Sequence, residues 1–156
     1  MRSLFGKWLL DLARKDKDVV LIVGDNGYTT FLKYQEEFPE RYFNVGICEQ
    51  AMIGMAAGMA MDGCKPYVFT IPSFLLERPF EQIKLDIDAQ QVNVKLVGYE
   101  AYSEFGITHV TLNSAILTSM FRNIRAYFPK TAQEVVRDLQ ESYELQVPTF
   151  VGLTKL

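Results

Sequence analysis

The chain has 156 residues, 49% of them hydrophobic and 22% charged, which suits one globular domain with a core of ordinary size and excludes disordered or fibrous classes. A formal net charge of −3 with no basic stripe excludes a phosphate-backbone partner, so no nucleic acid is expected. No apolar run approaches the roughly 20 residues of a membrane span, and the sequence reads as cytoplasmic with no membrane association.

Leu4, Phe5, Trp8, Leu9 and Leu12 recur at helical spacing, and "VVLIVGD" then gives the continuous apolar run of a strand buried on both faces. "TTFLKYQEEFPER" predicts a short polar helix stopped by Pro39, followed by the strand "YFNVG". The segment "FNVGICEQAMIGMAAGMAMDG" predicts a helix that opens on Glu49 and is lined with methionine and small residues. Gly54 and Gly58 cost roughly 1 kcal/mol each in a helix interior, so close packing of this helix against another element, such as a second subunit, is expected. Cys48 and Cys64 flank it and read as buried free thiols. With one histidine and no CxxC pair, no metal site is expected.

"KPYVFT" is the next strand, "FLLERPFEQIKLDID" a helix, and "VNVKLVG" another strand. "YEAYSEFGITHVTLN" lacks periodicity and reads as a long functional loop. The chain then alternates again through "SAILTSMFRN", "IRAYF", "TAQEVVRDLQESYE" and "TFVGLT". The expected fold is α/β, three layers with a mainly parallel sheet between helices. Ligands of such folds bind at the carboxyl ends of the strands, which are the loops Asp25 to Thr30, Gly46 to Gln50 and Gly98 to Asn113. Glu49 and His109 are therefore candidates for one common edge. Arg78, Glu81 and Gln82 read as a solvated helix face.

Several motifs in order carry a resemblance. "VGICEQAMIGMAAGMAMDGCKPYVFT" resembles the G-I-x-E-Q segment, with its glycine-containing helix and next strand, in the pyrimidine-binding domain of transketolase and its thiamine diphosphate relatives; "TIPSFLLERPFEQIKLDI", "FGITH" and "VPTFVGLTK" continue the match. The resemblance spans nearly the whole of residues 1–156 and implies the thiamine diphosphate-binding fold, as one domain without the diphosphate-binding and carboxyl-terminal domains.

It also implies roles. Glu49 would hydrogen-bond the pyrimidine ring nitrogen of thiamine diphosphate and favour its protonation, which promotes removal of the proton at thiazolium C2. Phe74 would stack on the pyrimidine, with Ile71 where the family commonly has a second aromatic. His109 would contact a substrate oxygen. Phe105 stands where transketolases carry an acid that reads a sugar hydroxyl, Ile107 replaces a proline and Val110 a glutamine, so an ordinary pentose phosphate fits less well. "VGDNG" does not match the metal motif that begins Gly-Asp-Gly; the diphosphate and its Mg2+ or Ca2+ are expected on a partner domain or subunit, in a homodimer or heterotetramer.

The implied function is ketol transfer between phosphosugars or related small molecules, active only with that partner. Deoxyxylulose 5-phosphate synthase-like or 2-oxo acid dehydrogenase β-subunit-like chemistry, and a noncatalytic scaffold homologue, are the alternatives.

Overall fold

A computed structural model describes residues 1–100 and 103–155. Six strands form one parallel sheet in the order β2-β1-β3-β4-β6-β5: β1 Val19–Val23, β2 Tyr42–Asn44, β3 Lys65–Thr70, β4 Lys95–Glu100, β5 Arg125–Tyr127 and β6 Thr149–Thr154. The helices are α1 Arg2–Ala13, α2 Tyr28–Glu37, α3 Glu49–Met61, α4 Phe80–Gln82, α5 Ser114–Ser119 and α6 Ala132–Glu144. No helix among the described residues is long and apolar enough to cross a membrane.

Period-two alternation within the strands divides the core into two layers. Leu21, Tyr67, Val97 and Val151 point toward α1 and α6, where they meet Phe5, Leu9, Val135 and Leu139. Ile22, Val68, Leu96 and Phe150 point the other way, onto Met52, Ile53, Leu75 and Ile83. The three-layer α/β/α fold expected from the sequence is the one observed, with every strand pair parallel.

The segment after β3 departs from the single helix expected there. Pro79 has no N–H to donate, and its ring would clash with the carbonyl four residues back, so a regular helix cannot run through it. The chain instead makes wide π turns at Ser73–Glu77 and Ile83–Asp88 around the single α turn α4. Pro39 acts as expected: α2 ends at Glu37 and a 3-10 turn, Pro39–Arg41, comes directly after. The expected irregular loop after β4 contains two 3-10 turns, Ser103–Phe105 and Ile107–His109; its Ala101 and Tyr102 lie outside the described residues.

One expectation beside α3 fails: its flanking thiols are not buried. Cys48 is exposed and Cys64 half-buried, both as free thiols, because Cys48 precedes the first helical turn at the mouth of a loop. Within the chain, Gly54 and Gly58 meet no neighbouring backbone; both are exposed, and only the Asp86 carboxylate comes as near as 4.0 Å to a Cβ placed on Gly54.

Close approach occurs instead at Gly98 on β4. A Cβ there would lie 2.8 Å from Pro72 Cγ and 3.2 Å from the Phe150 ring, so this glycine sets how deeply the turn carrying Ile71 to Phe74 sits. Gly98→Val is expected to cost about 1–3 kcal/mol, read as a lower urea midpoint.

At the opposite edge of the sheet the fully buried Lys95 donates from Nζ to the carbonyls of Leu145 (2.8 Å) and Val147 (3.0 Å), closing the end of α6. Burial, with a smaller contribution from Lys65, lowers its ammonium from 10.5 to about 7. Below pH 7 both folded and unfolded chains hold this proton and the burial cost is fully present. Above pH 7 the unfolded chain alone retains it, until the unfolded value is reached, so stability rises with pH through that window. Between pH 7 and 9 the native chain should gain about 1–2 kcal/mol relative to Lys95→Met in urea titrations.

Candidate functional site

Strand order reverses between β1 and β3, and the crevice of a parallel sheet opens beyond the carboxyl ends of strands at such a point. A cleft of about 290 Å³ lies there, lined by Gly24, Asp25, Asn26, Ile47, Glu49, Ile71, Phe74, Arg78 and His109. A larger groove of about 440 Å³ runs between α1 and α2, but it holds no buried carboxylate and its Arg14 is engaged by Glu37 and Asp11. The smaller cleft is the candidate site.

Glu49 is the first residue of α3 and only 5% exposed. The positive end of the helix macrodipole favours a carboxylate at this position. Its main partner is Arg78, whose Nη1 donates to Oε1 at 2.7 Å. Among the described residues no donor reaches Oε2. The Arg78 guanidinium also lies 3.7 Å from the centre of the Phe74 ring, a cation–π contact. Sequence reasoning leaves Arg78 on a solvated face, and the structure brings it into the site. The signal available was Pro79: a helix broken directly after Arg78 no longer holds that side chain on a regular outward face. Glu81 does lie exposed as expected, whereas Gln82 is partly buried.

Phe74 sits within the first π turn, half-buried, with its ring centre 4.9 Å from that of His109 in an edge-to-face arrangement. Ile71, beside it, is buried. His109 comes from the second 3-10 turn of the β4 loop, and Thr108 Oγ1 lies 3.0 Å from its Nδ1, which leaves Nε2 for a ligand. The loop is fastened to the π turn by hydrogen bonds from Ser73 Oγ to the Thr108 carbonyl (3.0 Å) and from the Leu112 N–H to Glu77 Oε1 (2.9 Å).

The floor is made by the β1 loop. Asp25 adopts φ 53°, and Asn44 Oδ1 accepts from the N–H groups of Asp25 (3.1 Å) and Gly46 (3.0 Å), joining two of the loops. Hydrogen bonds from Tyr28 and Asn44 hold the Asp25 carboxyl below its ordinary value. Asn26 Nδ2 donates to Thr70 Oγ1, while its buried Oδ1 has no partner among the described residues. Asn26 had no signal in the sequence beyond lying in a strand-end loop, and Asn44, the last residue of β2, had none.

Residues 1–156 match the family described as the transketolase pyrimidine binding domain. The chain belongs to that family. This pyrimidine-binding domain is 37% identical over 145 residues to an uncharacterized 33.6 kDa protein in the fasciation locus of Rhodococcoides fascians, covering 91% of the chain and 46% of the relative. It is 32% identical over 154 residues to an apulose-4-phosphate transketolase subunit of Phocaeicola vulgatus, covering 96% of the chain and 49% of that subunit. Among solved structures, a split gene transketolase described as an inactive beta4 tetramer superposes with a TM-score of 0.87 at 28% identity, over 98% of this chain and 50% of that one. The domain thus spans about half the length of these relatives.

The Glu49–Arg78 pair should be energetically coupled. A double-mutant cycle of Glu49→Gln and Arg78→Met, read by urea unfolding, is expected to return about 1–2 kcal/mol of interaction for a hydrogen-bonded pair with one partner open to solvent.

Proposed function

We propose that this chain supplies the pyrimidine-binding half of a thiamine diphosphate-dependent, transketolase-like enzyme that transfers a two-carbon ketol unit between sugar phosphates or related compounds. The observation that carries the reading is Glu49: a carboxylate 5% exposed, in one cleft with the face of Phe74 and the imidazole of His109. An aminopyrimidine ring fits this donor set. It needs an acceptor for a protonated ring nitrogen, an aromatic face to lie against, and an acceptor for its amine, for which the unpartnered Asn26 Oδ1 is available. A cleft of about 290 Å³ suits such a ring better than a complete diphosphate cofactor.

When bound, the cofactor supplies the electron sink for the carbanion of the transferred unit. Glu49 accepts the hydrogen bond from the ring nitrogen and holds a proton there, more effectively because water is largely excluded. Arg78 positions that carboxylate. Phe74, with Ile71 behind it, orients the ring, and His109 Nε2 donates to the substrate oxygen on which charge collects.

The remaining parts of the site belong in this reading to a diphosphate-binding partner, which would carry the Mg2+ or Ca2+. The relative from Phocaeicola vulgatus, itself one subunit of a transketolase, supports such a division. The beta4 tetramer supports self-association, for which the exposed Gly54 and Gly58 of α3 offer a surface of close approach. A homodimer or heterotetramer results.

A second reading has its own support. The 1-deoxy-D-xylulose-5-phosphate synthase of Marinomonas sp. is 34% identical over 152 residues, 24% of its length, so decarboxylating transfer from a 2-oxo acid competes with ketol transfer. Profiling with pyruvate against ketose phosphates separates the two.

In the complex with its diphosphate-binding partner, Glu49→Gln should slow deuterium exchange at C2 of thiamine diphosphate by about 100-fold or more, monitored by NMR. Exchange at the native rate would remove Glu49 from this role.

A further inference from the structure

We propose that Thr108 is the positioning residue for His109: its hydroxyl donates to the imidazole Nδ1, which keeps the ring proton on Nε2 and leaves that N–H for the ligand. The task given to His109 rests on the ketol-transfer reading above; Thr108 is what prepares the imidazole for it.

His109 is the last residue of the 3-10 turn Ile107–His109, and its own N–H donates to the Gly106 carbonyl at 3.0 Å. That fixes the backbone but leaves two side-chain torsions free. Two contacts restrict them. The Phe74 ring meets the imidazole edge to face, with centres 4.9 Å apart, and Thr108 Oγ1 lies 3.0 Å from Nδ1. Turning the ring over would put a carbon in the place of Nδ1 and lose the hydrogen bond.

Thr108 is itself held. Its carbonyl accepts from Ser73 Oγ at 3.0 Å, and Ser73 is only 3% exposed, so its hydroxyl would be buried without this partner if the loop moved away. Ser73 begins the π turn that also carries Phe74. One turn therefore controls both restraints on the imidazole, the ring beside it directly and the hydroxyl through the Thr108 carbonyl. Glu77, at the end of the same turn, adds a second tie by accepting from the Leu112 N–H.

A hydroxyl suits this place chemically. A neutral imidazole carries one N–H, and the hydrogen bond made by one nitrogen decides which of the two bears the proton. A carbonyl or carboxylate beside Nδ1 could only accept, which would draw the proton to Nδ1 and make Nε2 an acceptor. Thr108 can donate to Nδ1 of the neutral ring and accept from it when the ring is charged. Nε2 is then a donor in both states, with no movement of the ring, as an oxygen on which charge collects requires. Among the described residues no other group engages the Thr108 hydroxyl.

The test reads the imidazole nitrogens of the chain itself by long-range proton–nitrogen NMR after labelling with isotopic histidine; His109 is the single histidine and needs no assignment. At a pH two units above the ordinary histidine value of about 6.5, Nε2 should carry the proton and Nδ1 should show the shift of a hydrogen-bonded acceptor. Thr108→Val, which keeps the shape and removes the hydroxyl, should move Nδ1 toward the shift of a free acceptor, and Thr108→Ser should restore the native value. A native ring protonated on Nδ1, or nitrogen shifts unmoved by Thr108→Val, overturns the proposal.

Turnover is read in the complex with the diphosphate-binding partner, with fructose 6-phosphate as donor and glyceraldehyde 3-phosphate as acceptor. Thr108→Val should lower kcat and kcat/KM together by about tenfold, as when a contact made in the transition state weakens, and Thr108→Ser should recover most of the loss. Exchange at C2 of thiamine diphosphate, which depends on Glu49 in this reading, should keep its native rate in both variants. Native turnover by Thr108→Val overturns the proposal. A native complex that exchanges the C2 proton yet transfers no ketol unit overturns the ketol-transfer reading instead, and the nitrogen spectra then decide on Thr108 by themselves.

Discussion

Parallel pairing of β1 with β3 is the constraint on which the cleft depends. Val19 to Val23 pair with Lys65 to Phe69 in register, while β2 lies outside β1 and β4 lies outside β3. Chains leaving β1 and β3 must then turn away from each other, one to α2 and the other to the 73–88 segment. The space between them receives the start of α3 from a third strand end. Glu49 thus reaches the middle of the site from an edge strand, and His109 reaches it from β4, the next strand on the other side.

A buried carboxylate in such a crevice needs a counter-charge, and the 73–88 segment supplies it in Arg78. Phe74 and Arg78, four apart, share one face of this turn, so the guanidinium stacks on the Phe74 ring while still reaching Glu49. A single turn therefore fixes an aromatic face, a cation and, through Ser73 and Glu77, the loop that carries His109. The close contact of Gly98 with Pro72 transmits the position of β4 into the same turn.

The strand pattern was legible because a sheet buried on both faces leaves unbroken apolar runs such as "VVLIV", here rich in β-branched residues. Gathering of Glu49 and His109 at one edge came from the same rule about strand ends. Arg78 was harder to place: periodicity puts a charged residue of an amphipathic helix outward, and Pro79 was the one sign that the helix breaks directly after it. The exposure of Cys48 was missed for a related reason, since its small apolar neighbours belong to α3 while Cys48 itself belongs to the loop before it. For Asn44, whose amide joins two loops through their backbone N–H groups, the sequence carries no pattern, because that contact depends on the register of β2 against β1.

The hydrogen bonds already made within the cleft narrow what the site can do. Glu49 is held through one oxygen by Arg78, Asp25 is engaged by Tyr28 and Asn44, and His109 uses Nδ1 on Thr108. Among the described residues, these groups leave open to a ligand the second oxygen of Glu49, the buried carbonyl of Asn26 and Nε2 of His109. Two acceptors and one imidazole nitrogen, arranged around an aromatic face, match a flat, donor-bearing ring at the inner end and a single oxygen at the outer end. In the proposed reading the charge pair sets the inner end of the cleft and the imidazole its outer end, and the turn carrying Phe74 holds the two together.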